Sequence, residues 1–348
     1  MYTRRAKIKD VANLAQTSVA TVSRVLSNSN YSVSEELRQK VEAAAVELSF
    51  VHNSTTQQST NAICTIGLIV PTLSNLYYTQ TIEGIGSVCV EKGYGVLLCN
   101  SQWSPEEEEK LLLDLHSRNV GGIIISSIKE NSRPLSDLIA KGTHILQLDQ
   151  RVDVQGCDNI YFDYKLGAKM AVNHLYEKGH RRIAFASTQL TRWTRQQAYQ
   201  GYCEELERLS LPIDNNLVFI SQEAEAENQE LTVGHQLAQR FADAKCDATA
   251  VFCLNDMVAF GIIHGFTELN IVVPEDVSVI GFDDTPLASV FNPPLTTIRC
   301  PSYETGRLSA MMLIDKIQNV RINSNALNMN LQPTLVERKS VKDLNITE

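Results

Sequence analysis

From Thr65 onward, short apolar runs alternate with helical patterns, and this alternation constrains the fold more than any other feature of the chain. Most of the apolar runs are continuous, as expected for parallel strands covered on both faces. Right-handed crossovers through the intervening helices then predict a doubly wound α/β architecture. The predicted strands are 65–70, 96–99, 122–126, 145–148, 159–162, 182–187, 217–220, 249–253 and 277–281.

This many strands exceeds what one core holds comfortably, so we predict two α/β lobes with a ligand site in the cleft between them. The first lobe is expected to comprise about 63–160 plus 292–320, and the second about 161–291 plus 321–340. Helix signals support the alternation. Ser104 precedes Pro105 and a run of glutamates, which is a helix start, and Gly179 follows Lys178 as a helix end.

The net charge of −9 is distributed unevenly along the chain. Residues 1–60 hold seven Lys/Arg against five Asp/Glu, so this end is basic while the rest is acidic. A basic end on an acidic body favours contact with a polyanion. Residues 53–61, NSTTQQSTN, contain no apolar residue and predict a flexible linker. The expected units are therefore 1–52, a linker at 53–62, and a core at 63–348.

Three short helices are predicted in the basic unit. The first has its apolar face at Ile8, Val11, Ala12 and Ala15, and a third runs from Ser32 or Ser34 through Leu48. Between them Ser18 is expected to cap a helix whose buried stripe is Val19, Val22, Val25 and Leu26. Two short helices packed on a third form a helix-turn-helix, and the second one enters the major groove of DNA. Its exposed face carries Ala20, Thr21, Ser23 and Arg24, of which Arg24 suits bidentate pairing with guanine.

The stretch IKDVANLAQTSVATVSRVL resembles the headpiece of the LacI/GalR repressor family. TIGLIVPTLSN, DATAVFCLNDMVAFG, VPEDVSVIGFDD, NPPLTTI and PTLVERKS resemble later landmarks of that family in the same order. The resemblance implies a periplasmic-binding-protein-like core and a homodimer that binds pseudo-palindromic operator DNA as a repressor. It also implies that bases are read by Val19, Ala20 and Arg24, with phosphate or sugar contacts from Lys7, Ser18, Thr21, Ser23 and Asn53.

Polar side chains follow three predicted strands, where ligands bind in open α/β sheets. They are Asp149, the pair Asn255 and Asp256, and the pair Asp283 and Asp284. In the family, these positions hydrogen-bond the effector, Phe162 matches a stacking aromatic residue, and Tyr77 and Tyr78 lie at the cleft mouth beside Asn75. Plainer interpretations stay open: Asn255 or Asp256 as a helix cap, Asp284 in a turn, and Phe162 in the core.

The family's effector-binding arginine is replaced by Ala198, and Cys300 replaces a polar cleft residue. Arg192, Trp193 or Arg195 from the preceding turn is expected to substitute for that arginine. We expect a sugar or sugar derivative as the effector, with a nucleoside, a purine or a protein co-regulator as the alternative.

Other classes of protein fit the sequence less well. Gly84-x-Gly86 lies inside a helical pattern and not after a strand, so it does not indicate a dinucleotide site. The eight cysteines include no C-x-x-C pair, and no His, Cys and carboxylate cluster has metal-ligand spacing, so neither an enzyme, a cofactor nor a metal is expected. A transport-type sugar-binding protein needs an export signal and no helix-turn-helix. No apolar run approaches the roughly 20 residues that span a bilayer, and we expect a cytoplasmic protein.

The linker departs from the family pattern at Ser59, where a leucine usually wedges into the minor groove. A serine cannot offset the few kcal/mol of base unstacking by apolar insertion. We therefore predict that the wild-type protein bends its operator less than the Ser59→Leu variant does, as measured by circular-permutation gel shift. A strongly bent wild-type complex that the leucine leaves unchanged would contradict this prediction.

Overall fold

The computed structural model describes residues 8–26, 33–48, 64–128, 133–149, 154–221, 230–320 and 326–346. The chain forms two compact units, Met1–Ala62 and Ile63–Glu348. The predictions made for Lys7, Asn53 and the Ser59 linker lie outside the described residues. No helix in the described part of the chain is long and apolar enough to cross a membrane.

The first unit contains three helices, α1 (Ile8–Leu14), α2 (Val19–Leu26) and α3 (Glu35–Glu47). The backbone N–H of Thr21 donates to Ser18 Oγ at 3.1 Å, so the predicted cap of α2 is confirmed. Val19 is 38% exposed, and the prediction that it belongs to the buried stripe is wrong. Val19 is the first residue of α2 and lies about one turn before the buried residues Val22 and Val25. The small core consists of Val11, Ala12, Ala15, Val22, Val25, Val41, Ala44 and Ala45.

The second unit contains two six-stranded sheets, one in each lobe. The sheet of the first lobe has the order β11-β5-β4-β3-β1-β2 and is parallel throughout. The sheet of the second lobe has the order β12-β10-β9-β8-β6-β7, with only β12 antiparallel. The strands are β1 (Cys64–Val70), β2 (Tyr94–Asn100), β3 (Gly122–Ile125), β4 (Ile145–Leu148), β5 (Asp158–Phe162), β6 (Ile183–Ser187), β7 (Val218–Ile220), β8 (Ala250–Cys253), β9 (Ser278–Asp283), β10 (Thr296–Arg299), β11 (Asn328–Leu331) and β12 (Thr334–Val336).

Helices connect most of the successive strands and cover the sheets, which confirms the doubly wound α/β prediction. Asn75, Ser104, Asp163 and Asn255 each cap a helix with a side-chain oxygen. The helices of this unit are α4 (Leu76–Lys92), α5 (Pro105–Ser117), α6 (Arg133–Ala140), α7 (Tyr164–Glu177), α8 (Trp193–Arg208), α9 (Glu230–Asp243), α10 (Asp256–Glu268) and α11 (Ser302–Ile317).

The chain passes between the lobes three times, and this corrects the predicted lobe boundaries. Strand β10, at 296–299, pairs with β9 in the second lobe, although 292–320 was assigned to the first. Strand β11, at 328–331, pairs with β5 in the first lobe, although 321–340 was assigned to the second. Neither strand, nor β12, has the continuous apolar run on which the strand predictions depended. The crossings fall after β5, after β10 and after β11.

Helices α9 and α10 pack at very short range because glycines face each other at their crossing. A Cβ added to Gly261 would lie 2.0 Å from the carbonyl oxygen of Leu231, and one added to Gly234 would lie 2.2 Å from that of Val258. Real Cβ atoms do not approach backbone this closely, so only glycine permits the observed distance.

We predict that Gly261→Ala lowers the free energy of unfolding by about 1–3 kcal/mol, because the added methyl forces the two helices apart. Urea unfolding followed by circular dichroism measures this change. Gly86→Ala in α4 is the matched control: nothing lies within 4 Å of its added Cβ. That variant should be more stable by about 0.4–1 kcal/mol. Equal effects of the two substitutions would contradict the packing argument.

Candidate functional site

Helix α2 presents the predicted DNA-reading residues on its solvent side. Ser18, Val19, Ala20 and Arg24 are exposed, whereas Thr21 is half-buried. The hydroxyls of Ser18 and Thr21 lie 2.8 Å apart, which fixes both at the start of the helix. Ser23 is also half-buried. Small side chains around one exposed arginine permit close approach of the helix backbone to a DNA groove.

A cavity opens between the two lobes of the second unit. Eight of the ten residues predicted to bind the effector line it, and they come from both sheets. Five further residues were not predicted from the sequence. The full lining is Asn75, Tyr77, Tyr78, Trp103, Asp149, Tyr164, Arg192, Thr194, Arg195, Glu230, Leu254, Asn255 and Asp283.

The carboxylate of Glu230 joins the two lobes through two helix-capping asparagines. Asn75 caps α4 through its Oδ1 and donates its Nδ2 to Glu230 Oε2 at 2.6 Å. Asn255 caps α10 in the same way and donates its Nδ2 to Glu230 Oε1 at 2.8 Å. The cap and ligand-site interpretations of Asn255 are therefore compatible, since each uses a different atom. Helix capping fixes both amides in place.

Two buried arginines of the second lobe face the first. Arg192, 7% exposed, donates to the Tyr78 hydroxyl at 3.1 Å and to Ser126 Oγ at 3.4 Å. Arg195, 4% exposed, donates to the carbonyl of Gln189 and lies 3.8 Å from Glu230. Both guanidinium groups also lie over the ring of Trp103, at 5.2 and 5.4 Å. They supply donors to a cavity largely shielded from water.

The structure places Phe162 and Trp193 outside this cavity, contrary to the prediction. Phe162 is fully buried and packs edge-on against Tyr77 and Tyr164, so its core interpretation is correct. Trp193, the first residue of α8, does not line the cavity and packs edge-on against Tyr161. Tyr164 takes the aromatic position in the cavity, stacked on Phe282 with ring centroids 5.4 Å apart.

The cavity carboxyls lie at strand ends in unusual backbone conformations. Asp149, after β4, has φ of 62°, and Asp283, at the end of β9, has φ of 116°. Such conformations are costly for residues other than glycine and persist only where the surroundings enforce them. Burial raises the pKa of Asp149 to about 6, although the hydrogen bond from the Tyr77 hydroxyl at 2.5 Å opposes the shift. Burial also raises the pKa of Asp283 well above its usual range, with Asp256 adding to the effect.

The remaining two strand-end carboxylates hold loops in place. Asp256 accepts hydrogen bonds from the backbone and hydroxyl of Thr285 and from the hydroxyl of Thr297. Asp284 is ion-paired with Arg299 and Arg338, both at 2.6 Å. Neither lines the cavity. The helix cap expected of Asn255 or Asp256 is Asn255, and Asp284 holds two arginines by ion pairs.

Comparison with known proteins shows the family. Residues 7–53 match the bacterial regulatory proteins of the lacI family, and residues 172–341 match the periplasmic binding protein-like domain. The chain is 31% identical to the HTH-type transcriptional repressor PurR of Vibrio atlanticus over 98% of its own length and 100% of that protein. It is 31% identical to PurR of Mannheimia succiniciproducens over 97% of its length and 99% of that protein.

Solved structures of the same architecture include the lac repressor dimer bound to operator and the anti-inducer ONPF, with TM-score 0.71 and 26% identity over 97% of this chain and 100% of that one. The complex of the regulator CelR with cellobiose has the same TM-score, identity and coverage of both chains. The chain belongs to the LacI family. It is a DNA-binding transcriptional repressor with a periplasmic-binding-protein-like effector domain, and not an enzyme.

We predict that Asp149→Asn stabilises the protein at pH 7 and above, since the wild type must ionise a buried carboxyl whose folded pKa, about 6, exceeds the ordinary aspartate value of 3.8. Relative to the variant, wild-type stability should fall by roughly 3 kcal/mol as pH rises from about 4 through 6. Urea unfolding between pH 4 and 8 measures this difference.

Asp214→Asn is the control, because a backbone hydrogen bond from Asn216 and the Arg182 side chain lower the pKa of Asp214. Because its folded pKa lies below the ordinary value of 3.8, the wild type should gain stability relative to the variant only at the acid end of this range, and the difference should stay nearly constant from about pH 5 to 8. A parallel response of both variants would contradict the burial argument.

Proposed function

We propose that this repressor's affinity for its operator is set by a small molecule bound in the interlobe cavity, and that the molecule is a purine base or nucleoside. The observation that carries the proposal is the cavity itself, in which polar side chains of both lobes line one cleft. Enclosed cavities with a few convergent polar groups are the usual sites of small ligands.

The relatives favour a purine over the sugar expected from the sequence. The PurR repressors, which are purine-responsive, align with nearly the whole chain at about 30% identity. Sugar-bound structures are less similar: the CelR complex with cellobiose is 26% identical, and an Enterococcus faecium LacI-family regulator with bound ribose is 28% identical, with TM-score 0.72 over 80% of this chain and 99% of that one. A sugar is the second candidate, supported by these structures.

The cavity chemistry fits a flat heteroaromatic ring. Trp103, Tyr77 and Tyr164 supply aromatic surface, which pairs with π-systems in stacked or edge-on geometry. A purine edge alternates hydrogen-bond donors and acceptors. Arg192 and the Thr194 hydroxyl supply donors, and the carboxyls of Asp149 and Asp283 line the same cavity and supply acceptors.

A ligand in this position acts on the contacts that join the lobes. The Glu230 carboxylate and the Arg192 guanidinium both reach from the second lobe to the first. A ligand that replaces or reinforces these hydrogen bonds changes the angle between the lobes. In a dimer on DNA, that change alters the spacing of headpieces, which must match half-sites about 34–36 Å apart. Coupling of about 1–3 kcal/mol shifts operator affinity by one or two orders of magnitude.

The test measures ligand binding and operator binding on the same protein. Isothermal titration compares free purines and purine nucleosides with ribose and cellobiose, and fluorescence anisotropy follows a labelled operator with and without each ligand. We expect a purine to bind and to change operator affinity by at least about tenfold. Binding of ribose or cellobiose alone would favour the sugar, and no binding by either class would overturn the proposal.

Two variants separate the two activities. Asp283→Asn should lower the affinity for the purine by at least about tenfold while leaving operator binding intact. A hydrogen bond to a buried polar group contributes about 1–3 kcal/mol. Arg24→Ala should weaken operator binding by about 1–3 kcal/mol while leaving the affinity for the ligand unchanged. If both variants lose both activities, the defect is in folding and circular dichroism will show it.

A further inference from the structure

Two histidines and a glutamate meet on the outer side of helices α9 and α10, away from the cavity. His235 lies on α9, and His264 and Glu268 lie one turn apart on α10. His235 Nε2 is 2.7 Å from Glu268 Oε2, and His264 Nε2 is 3.6 Å from Glu268 Oε1. One ligand atom from each residue lies within 4.8 Å of the others. Among the residues that the structure describes, this is the one such group of three.

We infer that His235, His264 and Glu268 form a binding site for a divalent first-row transition metal, with Zn²⁺ as the reference ion. Two imidazoles and one carboxylate are a donor set that zinc accepts in tetrahedral coordination, with water in the fourth position. Imidazole also favours Cu²⁺ and Ni²⁺, whereas Mg²⁺ and Ca²⁺ prefer oxygen ligands alone. The inference is independent of the effector proposed above.

The backbone holds these side chains at metal-binding separation. Gly234 precedes His235 and Gly265 follows His264, so both histidines flank the glycine crossing described above. A Cβ on Gly265 would lie 3.1 Å from the carbonyl oxygen of His235. The two imidazole ring centroids are 5.5 Å apart. Because the helix backbones are in contact, closing the donors around an ion needs only side-chain rotation.

The donors are also accessible and correctly charged. The side chains of His235, His264 and Glu268 are 40%, 58% and 56% exposed, so an ion reaches them from solvent without opening the fold. The hydrogen bond with His235 lowers the pKa of Glu268, which keeps its carboxylate ionised as a ligand. The cluster has no local signature in the sequence, because His235 is on a different helix, far from the other two residues along the chain.

Metal binding is tested on the full-length protein by titrating Zn²⁺, and separately Ni²⁺, into metal-free protein in a calorimeter. We expect one site per chain with micromolar or tighter affinity, and a rise in melting temperature on saturation. His235→Ala, His264→Ala and Glu268→Gln should each weaken that site at least tenfold. All three side chains are exposed, so the metal-free melting temperature should change little.

His116→Ala is the matched control, because His116 lies on α5 in the first lobe and its Nδ1 is 2.8 Å from the Thr143 hydroxyl. It should bind Zn²⁺ as the wild type does. The double variant His235→Ala with His264→Ala separates this site from ions bound by cysteine thiols. Unchanged Zn²⁺ affinity in the double variant, or only millimolar affinity in the wild type, would overturn the inference and leave these residues an ion-pair cluster.

Discussion

Charge burial between the two lobes is the constraint on which the cleft depends. A buried guanidinium or carboxylate is strongly destabilising unless it has a partner. Arg192 finds its partners in the first lobe, and Glu230 of the second lobe is held by Asn75 of the first lobe as well as by Asn255 and Arg195 of its own. Neither lobe alone satisfies these groups. The polar arrangement therefore exists only when both sheets are present at a defined angle, which is the property that a ligand-controlled switch requires.

The strand ends supply the second element of the site. Asp149 and Asp283 adopt positive φ values at the ends of parallel strands, and both are buried. Their raised pKa values follow from the same burial. Conformation and protonation at these positions have one common cause, namely that the ends of buried strands point side chains into a volume closed by the other lobe.

The sequence predicted most of the fold and much of the site, and the exceptions have physical reasons. Nine strands were evident because both faces of a parallel sheet are covered by helices, which requires continuous apolar runs. Strand β10 is TTIR, whose buried threonine hydroxyls are hydrogen-bonded to Asp256 and to the backbone N–H of Arg338. Strand β11 is NMNL at a half-exposed edge. Such strands have no apolar signature.

The cavity residues likewise divide into those that have a sequence signature and those that have none. Asp149, Asn255 and Asp283 lie at or just after strand ends and were found by that rule, whereas Glu230 opens α9 at a distance along the chain from the end of β7. Trp103 lies three residues after β2, close enough to a strand end for the rule to apply. It was not predicted because it also precedes Ser104, the cap of the next helix. Phe162 was misplaced because a strand's last apolar residue looks the same whether it faces the core or a cavity.

The three crossings between lobes restrict how this protein can move. Strands β5, β10 and β11 each lead directly into the opposite lobe, so three adjacent peptide segments form a common pivot. With three tethers, the lobes cannot slide apart or exchange faces, and the low-energy motion is rotation about an axis through the tethers. In such a rotation the displacement of a residue grows with its distance from the axis, so a small change at the cavity produces a larger displacement at the far rim of each lobe.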